Sequence, residues 1–70
     1  MRARLTDISV QVKQIRDKAI MVADGTMDGK RERWYSLPLS IIEVDPEEYE
    51  VGDTVTVTLP EALAVDKELI

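Results

Sequence analysis

Six carboxylates crowd into the eleven residues 43–53: Glu43, Asp45, Glu47, Glu48, Glu50 and Asp53. Negative charge spaced in this way can hold arginine and lysine side chains through charge-assisted hydrogen bonds. It would then compete with the phosphates that such side chains normally bind. The plainer reading is a solvated loop between two strands. A second group, Arg31, Arg33, Trp34 and Tyr35, sets cations beside aromatics on one short stretch. In a small barrel such a strand can stack single-stranded bases while its cations meet phosphate. Two features oppose this. Trp34 and Tyr35 point to opposite faces of any strand, and a net charge of −5 repels a phosphate chain. The sequence favours a packing role instead, with Trp34 as a core anchor and the arginine stems lying over it.

The chain has neither His nor Cys. Cys–His and Ser–His–Asp catalysis are therefore excluded, as are disulfides and thiolate metal sites. Ser9, Ser36 and Ser40 coexist with Lys13, Lys18 and Lys30, but no spacing supports a Ser–Lys pair. General acid–base work needs a desolvated carboxylate in a cleft, which a loop does not supply. Asp24, Thr26, Asp28 and Gly29 match the first, third, fifth and sixth positions of a calcium loop. The position that should bring the closing Glu holds Tyr35, and no helical pattern flanks the segment, so a hairpin loop is the better reading. No phosphate-cradling glycine loop precedes a helix. The expectation is a protein that is not an enzyme and uses no metal or cofactor.

These groups must be positioned by a chain of 70 residues, enough for one small domain spanning 1–70. Ile8, Val10 and Val12 alternate with polar residues as a half-buried strand does, and Ile15 breaks the parity, placing a bulge or strand end near Gln14. Arg16-Asp17-Lys18 suits a hairpin turn. Ala19–Ala23, apolar at every position, reads as a central strand covered on both sides or closed into a barrel. Arg31–Ser36 should be the next strand, paired with Ala19–Ala23 and ended near Ser36 by Pro38. Leu39-Ser40-Ile41 fits one 3₁₀ turn before a strand at Ile42–Val44. An acidic connector, 45–50, and a tight turn at Val51-Gly52-Asp53 follow. Thr54 to Leu59 alternates without a fault, with Val55, Val57 and Leu59 on one face. Pro60 and Glu61 open a short helix, after which Leu69 and Ile70 should tuck against the sheet or a partner. The fold class is mainly β: a small antiparallel five-stranded meander or an SH3- or OB-like barrel with a short C-terminal helix.

Charge divides at the middle of the chain. Residues 1–35 carry eight basic and five acidic side chains, and residues 36–70 carry one basic and nine acidic. Such polarity favours a charged partner or head-to-tail self-association. No apolar run approaches the ~18 residues of a membrane span. Asp7 and Lys13 interrupt any signal-peptide core, so cytoplasmic residence is expected.

The run from Trp34 to Asp45, then Gly52–Val57, Leu59–Ala64 and Lys67–Ile70, resembles small phage and prophage proteins of unassigned activity. Those carry a tryptophan-led Pro/Ser motif, a Gly-Asp strand and a Pro-Glu-led helix ending in Leu-Ile. The likeness covers roughly the last half of the chain. It departs at Tyr35-Ser36-Leu37, where the pattern places Pro sooner after Trp, and at Ala62, where it has a second Trp that would supply an aromatic contact. The resemblance implies a phage context. Tiny acidic proteins there act as stoichiometric, non-enzymatic inhibitors of host defence complexes, as anti-CRISPR proteins do, or accompany replication and recombination genes.

Three functional expectations follow. The first is an inhibitor that uses Glu43, Asp45, Glu47, Glu48, Glu50 and Asp53 against a basic host protein or nucleoprotein complex in the host cytoplasm. The second is a single-stranded nucleic-acid accessory using Arg31, Arg33, Trp34 and Tyr35. The third is a homodimeric structural module formed through edge strands or through Leu69 and Ile70. No membrane partner is expected.

Overall fold

The computed structural model describes residues 4–69. Seven strands and one helix follow in order: β1 (Leu5–Ile15), β2 (Ala19–Ala23), β3 (Met27–Asp28), β4 (Arg31–Glu32), β5 (Tyr35–Pro38), β6 (Glu43–Asp45), β7 (Thr54–Pro60) and α1 (Glu61–Asp66). A 3₁₀ turn, Leu39–Ile41, joins β5 to β6 at the expected place. Five strands make one antiparallel sheet in the order β5-β2-β1-β7-β6, and β3 and β4 form a separate two-stranded ribbon. The expected mainly-β fold of five antiparallel strands and a short C-terminal helix is the observed one. The long strand β1 is its spine, pairing with β2 on one side and β7 on the other.

Period-two alternation builds one apolar core. Val10 and Val12 of β1, Ile20 and Val22 of β2, Tyr35 and Leu37 of β5, and Val55, Val57 and Leu59 of β7 all turn inward. Ile42 and Ala64 complete this core cluster, and Leu69 packs against it as expected, while Ile70 lies outside the described residues. Each such side chain contributes about 1.5–3 kcal/mol when fully buried, so the strands hold together mainly through this one interior face. Pro60 opens α1, and its following residue ties back to the sheet, Glu61 N–H donating to the Arg4 carbonyl at 2.8 Å. Among the described residues, no helix is long and apolar enough to cross a membrane.

The parity break in β1 is a bulge between Val12 and Gln14. β1 stays paired with β2 on both sides of the bulge, and its other edge continues past β7 onto the Gly52–Asp53 turn. Val12 N–H donates to the Asp53 carbonyl at 2.9 Å, and Gly52 N–H donates to the Val12 carbonyl at 2.8 Å. Gln11 Nε2 adds a bond to the Gly52 carbonyl at 3.1 Å. Gly52 sits at φ +100°, a conformation that L side chains rarely adopt. The acidic connector is thus anchored at its far end to the middle of β1, and Tyr49 packs half-buried against the core.

Two expectations need correction. Arg31 and Glu32 do not pair with β2. They belong to the β3–β4 ribbon, and β2 pairs instead with Tyr35–Pro38. Pro38 is accommodated inside β5 because that strand is a sheet edge, where a missing N–H is tolerated. Trp34 is not a core anchor either. It is 50% exposed, whereas Tyr35 is 5% exposed. Leu37 is fully buried, and strand alternation then carries Tyr35 inward with it, leaving Trp34 just ahead of the strand and outside.

Candidate partner-binding surface

The outer face of β6, β7 and β1 is set by what the inner face buries. Because Val55, Val57 and Leu59 point inward, Thr54, Thr56 and Thr58 must point outward, and the same logic turns Asp7 and Ser9 out of β1. Pairing then aligns two cross-strand rows, Glu43–Thr58–Asp7 and Asp45–Thr56–Ser9. Neighbouring strands lie about 4.8 Å apart and same-face residues about 6.8 Å apart, so these rows form a close-set polar lattice. The Thr58 hydroxyl donates to Asp7 Oδ1 and holds that carboxylate in the row.

The structure brings Glu43, Asp45 and Glu47 together: with Val44 and Thr58 they line one open groove of ≈ 400 Å³. Glu48 and Glu50 follow on the connector, both exposed. Asp53 differs. Its Oδ2 accepts the Glu50 N–H at 2.9 Å, and its own N–H donates to the Glu50 carbonyl at 3.0 Å, which closes the turn around Val51-Gly52. Its carboxylate is therefore engaged in shaping the connector. Among the described residues, none of the six carboxylates has an ion-pair partner. The two ion pairs among the described residues are Lys13–Glu32 and Arg33–Glu68. Asp7, Thr56 and Thr58 escaped the sequence reading of this site. Their outward parity was legible, but their place beside β6 follows only from the strand order.

The second group is dispersed. Tyr35 faces the core. Arg33 is held by Glu68, Nη1 to Oε2 at 3.0 Å, and its guanidinium carbon lies 5.3 Å from the Tyr35 ring centroid. The Glu68 carboxylate raises the Arg33 pKa above its ordinary value. Trp34 Nε1 donates to Glu32 Oε1 at 3.4 Å, and the same oxygen takes Lys13 Nζ at 2.8 Å. The hydrogen bond from Lys13 holds the Glu32 carboxyl below its ordinary value. Arg31 stays exposed on the ribbon. Asp24, proposed above as a loop residue, accepts the Thr26 N–H at 2.9 Å and starts the turn into β3. Burial pushes its carboxyl up, but hydrogen bonds from Thr26 outweigh this and leave it lowered.

Searches against protein-family models, curated proteins and solved structures found no match.

The chemistry of the two groups is therefore unequal. The acidic lattice offers carboxylates with no ion-pair partner among the described residues, flanked by hydroxyl groups, an arrangement suited to guanidinium and ammonium groups. The aromatic group offers a single exposed ring whose neighbour, Glu32, is itself acidic.

Proposed function

We propose that this chain is a non-enzymatic, phage-type binding protein that inhibits a host defence or nucleic-acid-binding complex, as anti-CRISPR proteins do. Its acidic surface, centred on Glu43, Asp45 and Glu47 and continued by Glu48 and Glu50, occupies a cationic groove of a host protein in the cytoplasm. The observation that carries this reading is the convergence of three carboxylates in one groove, none of them ion-paired among the described residues. The phage context comes from the sequence resemblance, and the charge division of the chain supplies the long-range attraction.

The test starts with affinity capture from host lysate and continues with titration of the captured protein. Binding should weaken as ionic strength rises. Reversing three charges together, Glu47→Lys, Glu48→Lys and Glu50→Lys, should cost on the order of 100-fold in affinity, at roughly 1 kcal/mol per charge. Unchanged inhibition by the triple variant would sink the proposal.

The exposure of Trp34 beside Arg31 favours a second reading, a single-stranded nucleic-acid accessory. In that case single-stranded oligonucleotides quench Trp34 fluorescence at low salt, and quenching fades as salt is added. The burial of Tyr35 and the pairing of Arg33 with Glu68 leave this reading fewer groups than the first.

A further inference from the structure

Next to the acidic groove lies a second one, of ≈ 270 Å³, lined by Leu5, Ser40, Ile41, Ile42, Glu43 and Thr58. Glu43 and Thr58 are walls of both grooves, so the two adjoin. The second is apolar at its outer rim: Leu5 is 65% exposed and Ile41 is 50% exposed. Leu5 stands on the same outward face of β1 as Asp7, two positions earlier. An apolar seat thus runs directly into the row Glu43–Thr58–Asp7.

We infer that the occupant of this joint groove is an extended basic segment of a protein partner, with an apolar side chain two residues from its cations. The apolar side chain rests on Leu5 and Ile41, and the arginine or lysine side chains reach Glu43, Asp45 and Glu47. Charge complementarity selects the cationic part, since among the described residues no basic side chain lines either groove while Glu43, Asp45 and Glu47 do. The spacing follows from backbone geometry: same-side residues of an extended chain repeat about every 6.8 Å, which matches the step from Leu5 to Asp7. The inference rests on the acidic-surface reading above and narrows it. A smooth polycation would be a poorer partner than a basic segment with one well-placed apolar residue.

The experiment uses the full chain and capped synthetic peptides that carry a Leu-Ser-Arg-Ser-Arg core, titrated at low ionic strength. A matched peptide replaces Leu by Ser at constant charge. The Leu peptide should bind about tenfold more tightly than the Ser peptide. The double variant Leu5→Ser with Ile41→Ser, at positions exposed enough to leave the fold intact, should remove that preference. Glu43→Gln with Asp45→Asn should weaken both peptides alike. Equal binding of the two peptides, lost on Glu43→Gln with Asp45→Asn, overturns the apolar seat and leaves the acidic-surface reading standing. A leucine preference that survives Leu5→Ser with Ile41→Ser also overturns it, as does binding indifferent to Glu43 and Asp45. Failure of both peptides to bind overturns it too, while titration of the captured host protein still decides the broader reading. Concentration-dependent dimerisation abolished by Leu5→Ser with Ile41→Ser would give the face to a second copy of the chain and refute the inference.

Discussion

Gly52 offers a sharp test of how the acidic connector is held. It sits at φ +100°, and a Cβ added there would meet nothing within 4 Å. Substitution by Ala therefore brings neither a clash nor a contact, and the effect is confined to the backbone. Left-handed geometry costs an L residue ~1–2 kcal/mol, and the stiffer unfolded chain of Ala returns ~0.4–1 kcal/mol. Gly52→Ala should thus destabilise the protein by about 1 kcal/mol if the turn holds its shape. If the turn yields instead, the bonds between Gly52 and Val12 and between Val12 and Asp53 are lost. At about 1 kcal/mol each they make the loss ~2 kcal/mol, in place of the strain that the yielding turn relieves. For a domain of this size each kcal/mol lowers Tm by ~4–8 °C. Urea and thermal unfolding followed by circular dichroism measure the loss. Amide exchange at Val12 and Gly52 separates the two cases, since only a released turn exposes both amides. A variant as stable as the parent, with unchanged urea dependence, would refute the anchoring argument.

Other expectations can be checked in the same assays. Trp34→Ala should change stability by less than ~0.5 kcal/mol, while Tyr35→Ala should cost ~3–5 kcal/mol, reversing the roles the sequence suggested. As the sole tryptophan, Trp34 should also be readily quenched by acrylamide in the folded protein. Glu32 has a folded pKa held below 4.5 by Lys13, so its pairing stabilises the fold above that pH and the benefit is lost as pH falls through the folded value. The Tm difference between the parent and Lys13→Ala should therefore close on acidification, and a gap constant with pH would contradict the pairing. Glu68→Gln removes an exposed ion pair with Arg33 and should shift Tm only slightly, the shift shrinking further in high salt.

Much of this fold was legible because alternation records burial directly. Thr54–Leu59 could face only one way, and the break at Ile15 marked the bulge that the structure shows. Pro38 followed by Leu39-Ser40-Ile41 announced a turn, and it formed. The Trp34–Tyr35 pair shows where this logic stops. Alternation says that neighbours part company but does not say which goes inside, and the larger ring is a poor guide. The parity of Leu37 was the available signal. Ala19–Ala23 misled in a related way. Its inward residues are Ile20 and Val22, whereas Ala23 lies on the outer face opposite Gln11 and is buried there. The acidic cluster was visible as composition. Its partition into a groove of three, two exposed connector residues and one turn former depended on the β6–β7 pairing and on hydrogen bonds between residues far apart in sequence.

The sheet order has a consequence for self-association. Directions alternate along β5-β2-β1-β7-β6, so with five members the first and last run the same way and cannot be closed by the antiparallel bonding used elsewhere. Two strand edges stay open, each a template on which another chain could add. Both are blunted. β5 has four residues and ends in Pro38, and β6 has three, carries Glu43 and Asp45, and runs into Pro46. A strand approaching either edge finds a short ladder, a missing donor or a like charge. Glu43 and Asp45 therefore discourage stacking of the chain upon itself, whatever else they bind. A substitution that makes them apolar would remove that charge and leave the β6 edge open to a second copy of the chain.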